Sequence, residues 1–268
     1  MLDSTKRLID SIKNYFVSTN GKTAVIGISG GKDSTIAAAL CVKALGKENV
    51  FGVLMPNGIT KADDDDAISD GKRICEFLGI KYYIFDIHNA YWDILMKVEN
   101  LLYCQNCKLE EAIASNQTKI NLAPRIRMTT LYAIAQSMEG GRVINTTNAC
   151  ERFVGYGTLF GDTAGDFAIF KDSKVSDVYK IGDDLGIPYD LVHKTPSDGL
   201  TGKSDEEVLG VTYEEIEIYM NNNTETNNYD IPKLIGQEKR DKIWKLHYNS
   251  EFKRQMLNIP GPKEVMFD

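Results

Sequence analysis

Apolar positions along the chain follow two different periods. Four short runs, at 23–29 (TAVIGIS), 50–55 (VFGVLM), 81–86 (KYYIFD) and 142–147 (RVINTT), have the length and β-rich content of buried strands. Between them the spacing turns helical. Residues 35–45 (TIAAALCVKAL) are apolar nearly all round and stop at Gly46, as a helix buried against a sheet would. Residues 62–78 open on an acidic run, 63–66, which suits a helix N-terminus. The opening segment MLDSTKRLIDSIKNYFV spaces Leu2, Leu8, Ile9, Ile12 and Phe16 between charges, the pattern of an amphipathic helix and not of a secretory signal. A further helix is expected over 121–139, with Met128, Leu131, Ala135 and Met138 on an apolar stripe. Arg125, Thr129, Tyr132 and Gln136 form a polar stripe, and Pro124 falls in the expected first turn. Strands alternating with helices predict an α/β fold, a doubly wound parallel sheet with flanking helices.

Beyond residue 147 the texture changes. Residues 151–166 carry Gly155, Gly157, Gly161 and Gly165, and residues 194–205 carry Pro196, Gly199 and Gly202. Both read as long loops, which in a compact domain commonly act as lids. The Asn-rich stretch 221–229 reads as a flexible connection. No repeat or break in composition divides the chain, so one domain over 1–268 is expected. A net charge of −7, from 31 basic and 38 acidic side chains, argues against nonspecific binding to a nucleic-acid backbone. No apolar run approaches the roughly 18 residues of a membrane span, and a cytoplasmic protein is expected. The cysteines, Cys41, Cys75, Cys104, Cys107 and Cys150, are few and odd in number, which suits reduced thiols. Cys104 and Cys107 form a lone CxxC, short of the four ligands that zinc normally takes.

The chemistry-bearing motif is GISGGKDS at 27–34, directly after the first expected strand and before a helix. Glycines let the backbone turn and approach a ligand, and the N–H groups at a helix start make an anion site. Asp33 stands where a Walker A loop needs Ser or Thr. The segment resembles instead the SGGxDS pyrophosphatase loop of ligases that split ATP into AMP and pyrophosphate, which implies an adenine-nucleotide hydrolase-like fold. That resemblance implies ATP contacts along Gly27, Ile28, Ser29, Gly30, Gly31, Lys32, Asp33 and Ser34, with magnesium on Asp33. A hard divalent cation would relieve the repulsion between a carboxylate and bound phosphates.

Four later segments, NLAPRIRM, NTTNACERFVGYGTLFGDTAGD, KTPSDGLTGKSDEEVLGVTYEEI and SEFKR, follow the loop in an order that resembles the NAD synthetase family over nearly the whole chain. The resemblance implies ATP contacts at Thr146, Lys174 and Ser197, and a second magnesium ligand at Glu151. It places deamido-NAD at Arg125, Leu159, Asp166, Phe252 and Lys253, and makes Asp33, Glu151 and Asp166 the catalytic set. Two departures stand out. Val175 precedes Ser176 where many relatives carry lysine, leaving Lys171 and Lys174 as alternatives for the ATP-contacting amine, and Phe252 replaces a frequent histidine.

The implied reaction is ATP-dependent amidation of deamido-NAD through an acyl adenylate, giving NAD, AMP and pyrophosphate. No nitrilase-like glutaminase region accompanies the motifs, so ammonia is the expected nitrogen donor. A homodimer is implied too, with the apolar first helices as a suitable contact. The alternatives are another pyrophosphatase-loop ligase, such as a tRNA-modifying enzyme, and a nonenzymic ATP-binding sensor. The acidic chain has no evident basic or zinc-binding RNA module, which weighs against the former. A sensor would leave Asp33, Glu151 and the glycine-rich loops without a purpose.

Overall fold

A computed structural model describes residues 1–58, 61–104, 113–193, 204–222, 231–256 and 261. Five strands, β1 (Thr23–Gly27), β2 (Val50–Leu54), β3 (Lys81–Ile84), β4 (Gly141–Asn145) and β5 (Phe167–Ala168), pair in parallel in the order β3-β2-β1-β4-β5. The first four match the expected runs, trimmed at the ends. The buried two-residue β5 was not expected.

Alternation along each strand sends successive side chains to opposite faces. Ala24 and Ile26 of β1, Val50 and Leu54 of β2 and Ile144 of β4 share one core cluster with helices α1 (Asp3–Ser18), α2 (Lys32–Leu45), α3 (Lys61–Leu78) and α7 (Val175–Asp184). Val25, Val53 and Val143 meet Met128, Leu131 and Ala135 of α5 (Asn116–Gln136) on the other face. Helix α4 (His88–Cys104) packs Tyr91 and Leu95 beside α5. Helix α2 is buried nearly all round, as its composition predicts, with only Asp33 of residues 32–41 outside the buried set. The short helices α6 (Ala149–Val154), α8 (Tyr189–Val192), α9 (Asp205–Leu209), α10 (Tyr213–Asn222), α11 (Ile231–Ile235), α12 (Gln237–Asn249) and α13 (Glu251–Met256) complete the chain. A separate cluster, including Cys150, Leu209, Tyr213, Ile216, Tyr219 and Ile243, joins α6 to α9, α10 and α12.

From β1 the chain steps to β2 and β3 on one side, then returns to place β4 on the other. The strand order therefore reverses between β1 and β4, and ligands of open parallel sheets collect beyond the C-terminal ends of strands at such a point.

Three expectations are corrected. Helix α5 begins at Asn116, where Ser115 Oγ accepts from Thr118 N at 3.1 Å, so Pro124 lies inside the helix and not in its first turn. The cap sets the start, and the proline leaves the carbonyl four residues back without its helical donor. Residues 151–166 are not one long loop: α6 takes their beginning, and the remainder is tied to the sheet. Asn145 Nδ2 donates to Asp162 O at 2.7 Å and to Ala164 O at 2.9 Å, and Thr158 N donates to Asp162 Oδ1 at 2.8 Å, a laced turn unlike a hinged lid. Finally, α1 buries Leu8, Ile9, Ile12 and Phe16 in the core of its own chain, which leaves that stripe unavailable to a second subunit. Most of the second expected loop, 194–203, most of the Asn-rich stretch and Cys107 lie outside the described residues. Cys104 is exposed at the end of α4. Among the described residues no helix is long and apolar enough to cross a membrane.

Leu40, fully buried between α2 and the sheet, tests this packing. Leu40→Ala should cost about 2–5 kcal/mol in chemical denaturation. A loss within experimental error would show that the α2 layer is not the main core.

Candidate functional site

The chain leaves β1 with Ile28 N still bonded to Val53 O at 2.9 Å, then turns sharply. Gly30 has φ +81, a backbone conformation that strains any other residue, and a Cβ there would also sit tightly against Ala67 O and Asp70 Cβ of α3 at 3.3 Å. Serines close the turn upon itself. Ser29 Oγ accepts from Gly31 N at 3.2 Å and lies 3.1 Å from Ser34 Oγ, while Thr35 Oγ1 donates to Gly31 O at 2.8 Å. Helix α2 then starts with no side-chain cap, which leaves its leading N–H groups for an anion.

Across the reversal point, β4 runs into Thr146, half-buried, and then into α6. Asn148 caps α6 by accepting from Glu151 N at 3.0 Å, and Glu151 Oε2 accepts in return from Asn148 N at 3.0 Å. The Asn148 side-chain amide also donates to Asp33 Oδ1 at 3.3 Å, so the two carboxylates are tied to one residue, Asp33 by the Asn148 side chain and Glu151 by the Asn148 backbone N–H. The sequence reading passed over Asn148, although N-x-x-E at a helix start is the signature of this reciprocal cap.

Beside Asp33 stands Lys32. Its side chain is only 3% exposed, and its Nζ lies 2.8 Å from Asp33 Oδ2. The rings of Tyr179 and Tyr213 lie 5.7 Å and 5.6 Å from the amine. Asp205 accepts from Tyr213 OH at 3.2 Å and Tyr156 OH at 3.0 Å. Tyr179, Tyr213 and Asp205 are further residues that sequence reading did not single out, because they come from three separate helices or turns.

Burial, and then the charge of Asp33, push the Glu151 carboxyl well above its ordinary range. For Lys32, burial opposes the charge, but Asp33 and Glu151 more than offset it and hold the amine above its usual range. Two carboxylates with an excess of negative charge in a dry place fit a hard divalent cation, which takes one or two carboxylates and completes its shell with phosphate oxygens and water. Among the described residues there is no cluster of three or more His, Cys, Asp or Glu, so an all-protein metal cage is not what this pair offers.

A second group gathers around the laced turn. Arg125 Nε donates to Leu159 O at 3.2 Å. Lys253 Nζ, from α13, donates to Gly155 O at 2.8 Å and Gly157 O at 2.6 Å, and burial depresses its pKa. Phe252 beside it is 53% exposed. Gly155 has φ +69, and a Cβ would come within 2.0 Å of Ser250 Cβ, so only glycine lets α13 approach. A cleft lined by Thr147, Glu151, Tyr156, Lys253 and Arg254 joins the two groups. Asp166, just before β5, accepts through its carboxylate from Val143 N at 2.8 Å and Tyr132 OH at 3.3 Å. Burial, followed by the Asp166 charge, pushes the Tyr132 phenol up.

Lys174 and Lys171 pair elsewhere, the former with Asn221 Oδ1 and the latter with Asp172 Oδ2 at 3.9 Å. The amine brought to the acids is Lys32. Ser197 lies outside the described residues.

A parallel sheet whose reversal point joins an anion-binding glycine turn to paired acids defines a nucleotide-dependent enzyme of the adenine-nucleotide hydrolase-like fold. A family model described as NAD synthase matches residues 4–257. An NH(3)-dependent NAD(+) synthetase of Archaeoglobus fulgidus is 33% identical over 97% of each chain, and one of Finegoldia magna is 34% identical over 91% of this chain and 94% of its own. A solved structure described as an NMN synthetase from Francisella tularensis superposes with a TM-score of 0.80 at 30% identity, covering 96% of this chain and 97% of its own. The NH3-dependent NAD synthetase from Campylobacter jejuni superposes at 0.70 with 27% identity, covering 96% and 97%. The chain belongs to the NAD synthase family, whose members are ligases that form a C–N bond.

The raised Glu151 pKa has a signed consequence. The folded protein binds that proton more tightly than the unfolded chain, so its stabilising effect is complete below the ordinary value of 4.5 and is lost as pH rises through the folded value. In chelator, wild type should lose stability relative to Glu151→Gln as pH rises above the ordinary value of 4.5. Denaturation curves that stay parallel across that rise would remove the claim of a crowded pair.

Proposed function

We propose that this chain uses ATP to adenylate the nicotinate carboxylate of deamido-NAD and then amidates it with ammonia, releasing AMP and pyrophosphate to leave NAD. The observation that carries this reading is the Asp33–Asn148–Glu151 arrangement beside the glycine turn, in a chain of this family. A carboxylate oxygen is a poor leaving group, and activation as an adenylate replaces one difficult displacement with two easier ones.

In this reading the N–H groups opening α2, with Ser29, Gly30, Gly31 and Ser34, cradle the departing pyrophosphate, while Thr146 faces the nucleotide. Asp33 and Glu151 hold magnesium, which when bound supplies positive charge against the negative charge developing on the leaving group. Arg125 and Lys253 are two cations close enough that the charge of the former disfavours that of the latter, which suits an anionic dinucleotide held between them. Each Asp166 oxygen keeps capacity for a second acceptor bond, which suits the incoming nitrogen. The ammonia-dependent activity and the absence of a membrane-spanning helix among the described residues agree with a cytoplasmic enzyme.

We also propose a homodimer, now on different grounds. Trp92, Met96 and Tyr103 form an exposed stripe on α4, and Ile113 and Ile120 add exposed apolar surface near the start of α5. Exposed large apolar side chains gathered on one helix in this way suit an interface. Met96→Asp should convert a dimeric species to monomer in sedimentation velocity, and an unchanged sedimentation coefficient would discard α4 as the contact.

A second reading, amidation of nicotinate mononucleotide, draws on the likeness to the Francisella tularensis NMN synthetase. One assay separates them: ATP, AMP, pyrophosphate and amide product are followed with each nicotinate substrate, in ammonium or in glutamine. The first reading expects higher kcat/KM with deamido-NAD and one pyrophosphate per NAD. ADP and orthophosphate as products would sink both. Asp33→Asn should lower pyrophosphate release at least a hundredfold, the order expected for losing a main charge-stabilising group, with the fold retained. Near-normal turnover in magnesium would remove Asp33 from the reaction.

A further inference from the structure

The site contains a positive charge of its own, and its placement is unusual. Lys32 belongs to the first turn of α2, yet its side chain is 3% exposed and runs inward to end 2.8 Å from Asp33 Oδ2. The Asp33 carboxylate is divided between this amine and Asn148 Nδ2, which donates to Oδ1 at 3.3 Å. Aromatic faces wall the ammonium on two sides, Tyr179 at 5.7 Å and Tyr213 at 5.6 Å. These rings are themselves held. Tyr213 OH is fixed by Asp205, which also receives Tyr156 OH, and Tyr179 stacks on His193 with centroids 4.9 Å apart and planes within 7°. His193 stacks in turn on Tyr189 at 4.1 Å. A flexible four-carbon stem is thus confined to one position by groups from α6, α7, α9 and α10.

We propose that Lys32 is a built-in counter-cation, held by the Tyr179 and Tyr213 rings against Asp33, which stabilises the metal-free acidic pair and competes with the divalent cation for it. This inference rests on the reading of Asp33 and Glu151 as the magnesium pair. An ammonium at hydrogen-bond distance satisfies Asp33 when no metal is present, and like charges at that spacing repel a second cation. Buried charges are tolerated when they are paired, and removal of one partner leaves the other exposed to the full cost of desolvation. The aromatic walls add attraction for the ammonium without offering it a second anion, so the amine is steadied and still displaceable. Lys32 is in this sense a positioning residue for the acids, in addition to any contact it makes with phosphate.

The experiment melts chelator-treated wild type, Lys32→Gln and Lys32→Arg in a magnesium chloride series with no nucleotide. Metal-free Lys32→Gln should melt below wild type, and the Mg2+ concentration that half-restores its melting temperature should be lower by about threefold or more, as removal of a nearby like charge requires. Lys32→Arg, which keeps the charge, should stay near wild type on both measures. A Lys32→Gln protein that needs as much Mg2+ as wild type, or more, overturns the proposal and leaves the amine as a phosphate contact alone. If Lys32→Gln fails to fold without metal, Mg2+ must restore its circular dichroism spectrum, and failure to do so also overturns it. Asp33→Asn serves as the control for the underlying reading: loss of the Mg2+-dependent rise in that variant keeps the metal pair standing whatever Lys32→Gln does. No such rise in wild type removes both.

Discussion

Two carboxylates and one ammonium, the last almost wholly buried, gather beyond the ends of β1 and β4, and most of the surrounding structure serves to keep them there. Left alone, Asp33 and Glu151 would separate or bind protons, since like charges repel strongly where water is excluded. Asn148 prevents separation by bonding to both acids, and it can do so because the start of α6 fixes its side chain. Lys32 supplies part of the missing positive charge. The remaining negative imbalance favours a further cation and repels a bare anion.

That arrangement demands a rigid base. Val25 stands opposite Phe51 on one side and Val143 on the other, so the strands delivering the glycine turn and α6 are bonded directly to each other. The two core clusters hold the sheet from both faces, and α2, buried almost throughout, cannot tilt without disturbing the first of them. The second part of the site is assembled from more distant pieces. Asn145 ties the laced turn to β4, and Lys253 brings α13 against the same turn through the backbone carbonyls of Gly155 and Gly157. Residues about a hundred positions apart thereby share one wall.

Much of this was legible in the residues alone, for reasons that can be named. The parallel sheet follows from apolar runs too short for helices, and the buried α2 from an apolar run too long for a strand. The glycine turn was legible because its requirement is local: a left-handed backbone at Gly30 and a close neighbour in α3 disfavour any side chain. Asp33 and Glu151 were singled out by resemblance of motif order to a known family, and the fold places them around one residue, Asn148. Pro124 was misplaced because a proline suits a first turn, while the actual start was set by Ser115, a single hydroxyl eight residues upstream of Ala123. The apolar stripe of α1 announced burial and could not say against what.

Sequence by itself determined the fold class, which follows from short-range periodicity, and the glycine loop, whose residues are adjacent in the chain; the reaction family was legible only through the resemblance of its ordered motifs to a known family. Only tertiary structure turned the Lys32 side chain inward to end beside Asp33. It also brought Tyr179, Tyr213 and Asp205 around that amine and joined Asp33 to Glu151 through Asn148. Those contacts span helices far apart in the chain, and their strength comes from exclusion of water, a property of the packed whole that no local segment possesses.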